Sequence, residues 1–141
     1  MSKANEKYAL LVEDNSDDVI LTQVAFEKAQ ITNPLEVARD GVEALEFIFG
    51  HDRYAHRDPN NKPAVILLDL KLPQVDGLKV LKQIRADNNT LEIPVIVLTS
   101  SMEAQDQRAC YRLGVSDYLQ KPTDFAKFFE IVEQIKSRWL D

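Results

Sequence analysis

The chain predicts an α/β domain, a parallel sheet with helices packed on both faces. Three observations carry that prediction. Apolar runs recur five times, and the strongest are unbroken by polar residues, as in strands covered on both sides. Between them lie segments whose apolar residues recur at spacings of three and four. Turn and capping residues stand at the joins. The 141 residues suit one domain spanning 1–141, with its core at about 8–136.

The first strand is Tyr8-Ala9-Leu10-Leu11-Val12, ending in Glu13-Asp14-Asn15. Ser16 or Asp17 can cap the helix that follows, which carries Val19, Leu21, Val24, Ala25 and Ala29 on its apolar faces. Pro34–Ala38 is a weaker second strand. Asp40-Gly41 leads into an amphipathic helix, Val42–Phe49, that Gly50 can end. His51–Pro63 is polar and turn-rich and reads as a long loop. The central strand, 64–69, ends on Asp69, and a helix runs from about Gly77 to Asp87. Pro94–Leu98 is a buried strand ending in Thr99-Ser100-Ser101, and 102–113 is a moderately polar helix stopped by Gly114. A short strand, Ser116–Leu119, ends in Gln120-Lys121-Pro122. The last helix sets Phe125, Phe128, Phe129, Val132, Ile135 and Trp139 along one stripe.

A net charge of −6 argues against nucleic acid or an anionic membrane as the main partner, and it suits a cation site. Cys110 is the single cysteine, so no internal disulfide forms and nothing indicates an oxidising compartment. No apolar run reaches the length of a membrane span, and Met1–Lys7 lacks a signal-peptide core. A cytoplasmic protein is the simplest expectation.

Each strong strand ends in a polar group: Glu13 and Asp14, Asp69, Thr99, and Lys121. In a parallel sheet these ends share one edge, where open α/β sheets place their chemistry. Taken singly, each has an ordinary role: a strand-end Asp caps a loop, Thr-Ser-Ser caps a helix, Lys-Pro makes a turn. Together they describe a site. Three crowded carboxylates repel unless a cation neutralises them, and oxygen-only ligands at an open edge suit Mg²⁺.

In this order and on these elements, Glu13-Asp14, Asp69, Thr99 and Lys121-Pro122 resemble the signature of bacterial response-regulator receiver domains. The resemblance runs from about Tyr8 to about Ile135. It implies the flavodoxin-like receiver fold, with strand order 2-1-3-4-5. It implies a phosphoacceptor signalling protein rather than a turnover enzyme, with Asp69 taking a phosphoryl group from a sensor histidine kinase. Asp14 and Asp69 then hold Mg²⁺, for which Mn²⁺ or Ca²⁺ could substitute in vitro. The backbone carbonyl of Lys71 is a third protein ligand and Glu13 acts largely through water. Thr99 and Lys121 bind the phosphoryl oxygens, and Tyr118 is the switch aromatic, turning inward as Thr99 moves. The output is the face made by strand four, helix four, strand five and helix five.

The 51–63 loop, Leu67–Pro73 and Leu98–Ser101 are similar to the small response regulators of cyanobacterial phytochrome kinases. That likeness implies a phytochrome-type kinase partner and a homodimer. With no second domain after Trp139-Leu140-Asp141, a stand-alone receiver is expected, acting on a downstream protein rather than on DNA. Trp139 is the leading candidate for the dimer face, with Phe129 beside it. Lys71 replaces the small polar residue common two positions after the acceptor, where its ammonium would hinder attacking water and prolong the phosphorylated state. His51 and His56 lack metal-ligand spacing and read as surface residues; Cys110 reads as surface or packing.

Three other functions compete. A haloacid-dehalogenase-type Mg²⁺ phosphatase wants a second Asp two residues after the nucleophile, where Lys71 stands. A flavodoxin-like cofactor binder wants a phosphate loop after strand one, where Glu13-Asp14-Asn15 would repel phosphate. A non-phosphorylated docking module has no use for five intact site residues.

Overall fold

A computed structural model describes residues 6–141; positions 1–5 of the N-terminal stretch lie outside the described residues. The elements alternate without exception: β1 (Ala9–Val12), α1 (Ser16–Lys28), β2 (Leu35–Ala38), α2 (Gly41–Phe49), β3 (Val65–Leu68), α3 (Gly77–Ala86), β4 (Val95–Thr99), α4 (Ala104–Arg112), β5 (Asp117–Gln120) and α5 (Phe125–Ile135). All strand pairs are parallel, in the order β2-β1-β3-β4-β5. This is the order expected of the receiver fold.

The apolar runs explain the layering. Successive strand residues point to opposite faces. Leu10, Val12, Ile66, Leu68, Val95 and Val97 therefore join one core, against α2, α3 and α4. Ala9, Leu11, Val65, Leu67, Ile96 and Leu98 join the other, against α1 and α5. Leu10, Ile66 and Leu68 are fully buried. Each such side chain contributes about 1.5–3 kcal/mol.

Local differences from expectation have physical reasons. Asn15 caps α1, accepting from the Asp18 N–H at 3.0 Å, in place of Ser16 or Asp17. Phe26 and Thr22 are buried on α1, whereas Val24 faces solvent. The α4 helix starts at Ala104, with Met102 exposed ahead of it. The 51–63 segment is a packed brace rather than a structureless loop. It holds a 3₁₀ turn at Asp52–Tyr54. Its Arg57 guanidinium lies 4.0 Å over the Phe47 ring and donates to the Phe47 carbonyl and the Tyr8 hydroxyl, both at 2.6 Å. After α5 the chain widens into a π-helical turn, Lys136–Leu140, which carries Trp139.

Candidate functional site

Register builds the site. Val12 pairs with Leu68, and the Asp69 N–H donates to the Val12 carbonyl at 3.1 Å, so Glu13 and Asp69 leave the sheet side by side. Thr99 pairs with Gln120, and the Lys121 N–H donates to the Thr99 carbonyl at 2.8 Å, which brings Lys121 to the same edge. Close packing holds the edge in place. A Cβ at Gly77, the first residue of α3, would lie 2.2 Å from the Asp69 carbonyl oxygen. One at Gly41, opening α2, would lie 1.9 Å from the Val75 carbonyl oxygen. Only glycine lets the two helices approach the 69–77 loop this closely.

Carboxylate oxygens of Glu13, Asp14 and Asp69 lie within 4.8 Å of one another. Glu13 and Asp69 are buried, and Asp14 is exposed. An all-oxygen set of this kind, partly open to solvent, fits a hard divalent cation. Lys121 Nζ supplies the opposing charge, 2.8 Å from Glu13, 2.9 Å from Asp69 and 2.8 Å from Asp18. The second Glu13 oxygen accepts the Asn15 N–H at 3.1 Å, and Asp69 Oδ1 accepts the Lys71 N–H at 3.1 Å. Burial pushes the Glu13 carboxyl above its ordinary range, although Lys121 and the Asn15 N–H pull the other way. Burial lowers the Lys121 ammonium, but its three carboxylate partners outweigh that and the net shift is upward. The lysine is firmly charged.

Thr99 is fully buried, and its Oγ1 accepts the Ser101 N–H at 3.2 Å. Ser101 also accepts the Tyr118 hydroxyl on its carbonyl at 2.9 Å and sends its own hydroxyl to Asp106 of α4 at 3.1 Å. Tyr118 is therefore inward, with its ring buried. Lys71 is exposed.

The structure thus gathers Glu13, Asp14, Asp69, Thr99 and Lys121 at one edge, with the Lys71 N–H on Asp69 and Tyr118 joined through Ser101. Phe129 and Trp139 lie elsewhere. Phe129 stacks on Phe125 at 6.3 Å along α5, and Trp139 is half-buried under the Arg138 guanidinium, 5.2 Å above its ring. Both pack on the α1–α5 core. Cys110 is fully buried, a packing residue, and burial pushes its thiol up to about 11. His51 and His56 are exposed. Asp18 escaped the sequence reading, as did the connection from Ser101 to Asp106. The available signal for Asp18 was its position three residues after a good N-cap, Asn15.

The comparisons with known proteins agree with this geometry. The family model for the response regulator receiver domain matches residues 9–133. FilR2 of Methanothrix harundinacea, named as a probable methanogenesis regulatory protein, is 41% identical over 93% of this chain and 82% of its own length. The response regulator Rcp1 of Synechocystis sp. is 38% identical over 96% of this chain and 90% of its own. The Mn²⁺-bound crystal structure of Rcp1 superposes with a TM-score of 0.86 at 38% identity, covering 96% of this chain and 95% of that one. The phosphorylated cyanobacterial phytochrome response regulator RcpA superposes with a TM-score of 0.87 at 36% identity, with the same coverage. The match runs from the first strand into the last helix and takes in every acid, hydroxyl and ammonium at the sheet edge, and on that ground the chain belongs to the response regulator receiver family.

Proposed function

We propose that Asp69 is the phosphoacceptor of this response regulator. The observation that carries the reading is the environment of its carboxylate: buried, its two oxygens oriented by Lys121 and the Lys71 N–H, and beside two further acids. An Asp69 oxygen attacks phosphorus. The new O–P bond forms as the P–N bond to the kinase histidine breaks, and the electron pair returns to the imidazole nitrogen. Lys121 and the Thr99 hydroxyl bind the phosphoryl oxygens, an electrostatic contribution of the kind that dominates phosphoryl transfer. Glu13, Asp14, Asp69 and the Lys71 backbone carbonyl would hold Mg²⁺, which supplies neutralising charge at the phosphoryl oxygens when bound. The Mn²⁺-bound Rcp1 structure supports a divalent ion here.

The protein acts as acceptor and switch, without turnover of a separate substrate. Thr99, drawn toward the phosphoryl group, moves Ser101 and with it Tyr118 and α4, so that the β4-α4-β5-α5 face reports the state. Likeness to the cyanobacterial phytochrome response regulator RcpA supports a phytochrome-type histidine kinase as donor, and the cytoplasm is the compartment this reading assigns. A homodimer through Trp139 and Phe129 completes the reading.

Incubation with Mg²⁺ and acetyl phosphate, read by intact mass, tests it. Wild type gains one phosphate and Asp69→Asn does not. Equal labelling of both would remove Asp69 as the acceptor.

A further inference from the structure

Lys121 is shared among three carboxylates, and one of them, Asp18, has no part in the reading above. We infer that Asp18 is a positioning residue that competes with the phosphoryl group for Lys121, so that its bond to the lysine sets how tightly the site holds that group. This builds on the phosphoacceptor reading of Asp69 and extends it to a residue on α1.

Asp18 is aimed at the lysine by its neighbours. It stands three residues after the N-cap, where an acidic side chain ordinarily turns back to the N-cap N–H. Here that N–H is taken, donating to Glu13 Oε2 at 3.1 Å. The Asp18 carboxylate instead reaches across to the end of β5 and meets Lys121 Nζ at 2.8 Å. Its backbone is held from both sides: its N–H donates to Asn15 Oδ1 at 3.0 Å, and its carbonyl accepts the Thr22 hydroxyl at 2.7 Å.

Competition follows from crowding at the lysine. Its ammonium donates to Asp18 at 2.8 Å and to Asp69 at 2.9 Å, and Glu13 Oε1 stands against it at 2.8 Å as an ion pair. An incoming phosphoryl oxygen meets an ammonium already occupied on three sides, so a closer hold on Lys121 comes as a partner gives way. The Glu13 side chain is 4% exposed and would be left a buried charge with one cation fewer, while Asp69 carries the phosphoryl group itself and stays beside the lysine. The Asp18 side chain is 37% exposed, and water replaces what it loses. Asp18 is the partner that yields.

The test is a titration with beryllofluoride, a phosphoryl mimic, in the presence of Mg²⁺, followed by ¹⁹F NMR for wild type, D18N, D18E and D17N. D18N reaches half-saturation at roughly threefold to fivefold lower concentration, the gain expected from removing a half-exposed ion-pair competitor. D18E, which keeps a carboxylate, moves back toward wild type. D17N removes the same charge from the same helical turn without a salt bridge to Lys121, and it stays at the wild-type value. A purely structural role for Asp18 would lower the thermal midpoint and leave the half-saturation point alone. An unchanged or weakened D18N, or equal shifts in D17N and D18N, overturns the inference. Failure of the underlying reading looks different: no variant, wild type included, would bind beryllofluoride, and both would fall.

Discussion

Replacing Gly77 by alanine adds one methyl group at the point where α3 touches the acceptor loop. The new Cβ would sit 2.2 Å from the Asp69 carbonyl oxygen, 2.6 Å from the Leu70 Cα and 3.0 Å from the Asp69 carbonyl carbon. Ordinary van der Waals contact begins at 3.4 Å, so something must move by about 1 Å. All three neighbours are backbone atoms, and none can rotate away. The residue displaced is Asp69 itself. Overpacking of this kind costs about 1–3 kcal/mol, offset in part by the roughly 1 kcal/mol that alanine gains over glycine in a helix. The effect on reaction is larger than the effect on stability, because a displacement of about 1 Å costs on the order of 10²-fold in rate. Urea unfolding of Gly77→Ala should therefore show a protein that still folds, weakened by about 1–2 kcal/mol. The rate of mass gain with acetyl phosphate should fall by about 10²-fold. A variant that labels at the wild-type rate would refute the claim that α3 holds the acceptor by contact.

Three further outcomes are expected. Lys71→Asn removes an exposed ammonium next to the acceptor, and the phosphorylated protein should lose its phosphate several-fold faster; an unchanged half-life would show that Lys71 does not obstruct water. The Tyr54 hydroxyl donates to Glu43 at 2.6 Å, and that bond, with burial, pushes its phenol up to about 12 from an ordinary value of 10. The folded state favours the neutral phenol, so its contribution is complete below pH 10 and fades as pH rises toward 12. Tyr54→Phe should accordingly lose about 1 kcal/mol at pH 8, with the gap to wild type narrower at pH 11; a constant gap would contradict the linkage. Trp139→Ala should move the sedimentation coefficient from dimer toward monomer, and an identical profile would take Trp139 out of the interface.

The central strands were legible because their burial is two-sided. Val65–Leu68 and Val95–Leu98 contain no polar residue to blur them, and Asp69 and Thr99 follow at once. Local chemistry was harder where several residues can do one job. Asn15, Ser16 and Asp17 are all competent caps, and only the backbone geometry selects Asn15. Long-range pairing left no local trace. Arg57 finds its partner Tyr8 from 49 positions away, so its segment looked like an ordinary polar loop. Asp18 and Lys121 are 103 positions apart and meet only once the sheet register is set.

Ser101 turns a short stretch of chain into a junction. Its amide, carbonyl and hydroxyl each serve a different neighbour: Thr99, Tyr118 and Asp106. Among the described residues Thr99 Oγ1 accepts only from that amide, so in the proposed switch its own proton is available to a phosphoryl oxygen. In the proposed switch a displacement of the threonine passes through this one residue, which joins two peptide planes, to Tyr118 of β5 and Asp106 of α4. If the proposed switch operates through this junction, a substitution that stiffens or reorients position 101 uncouples message from readout while leaving the chemistry of the pocket in place.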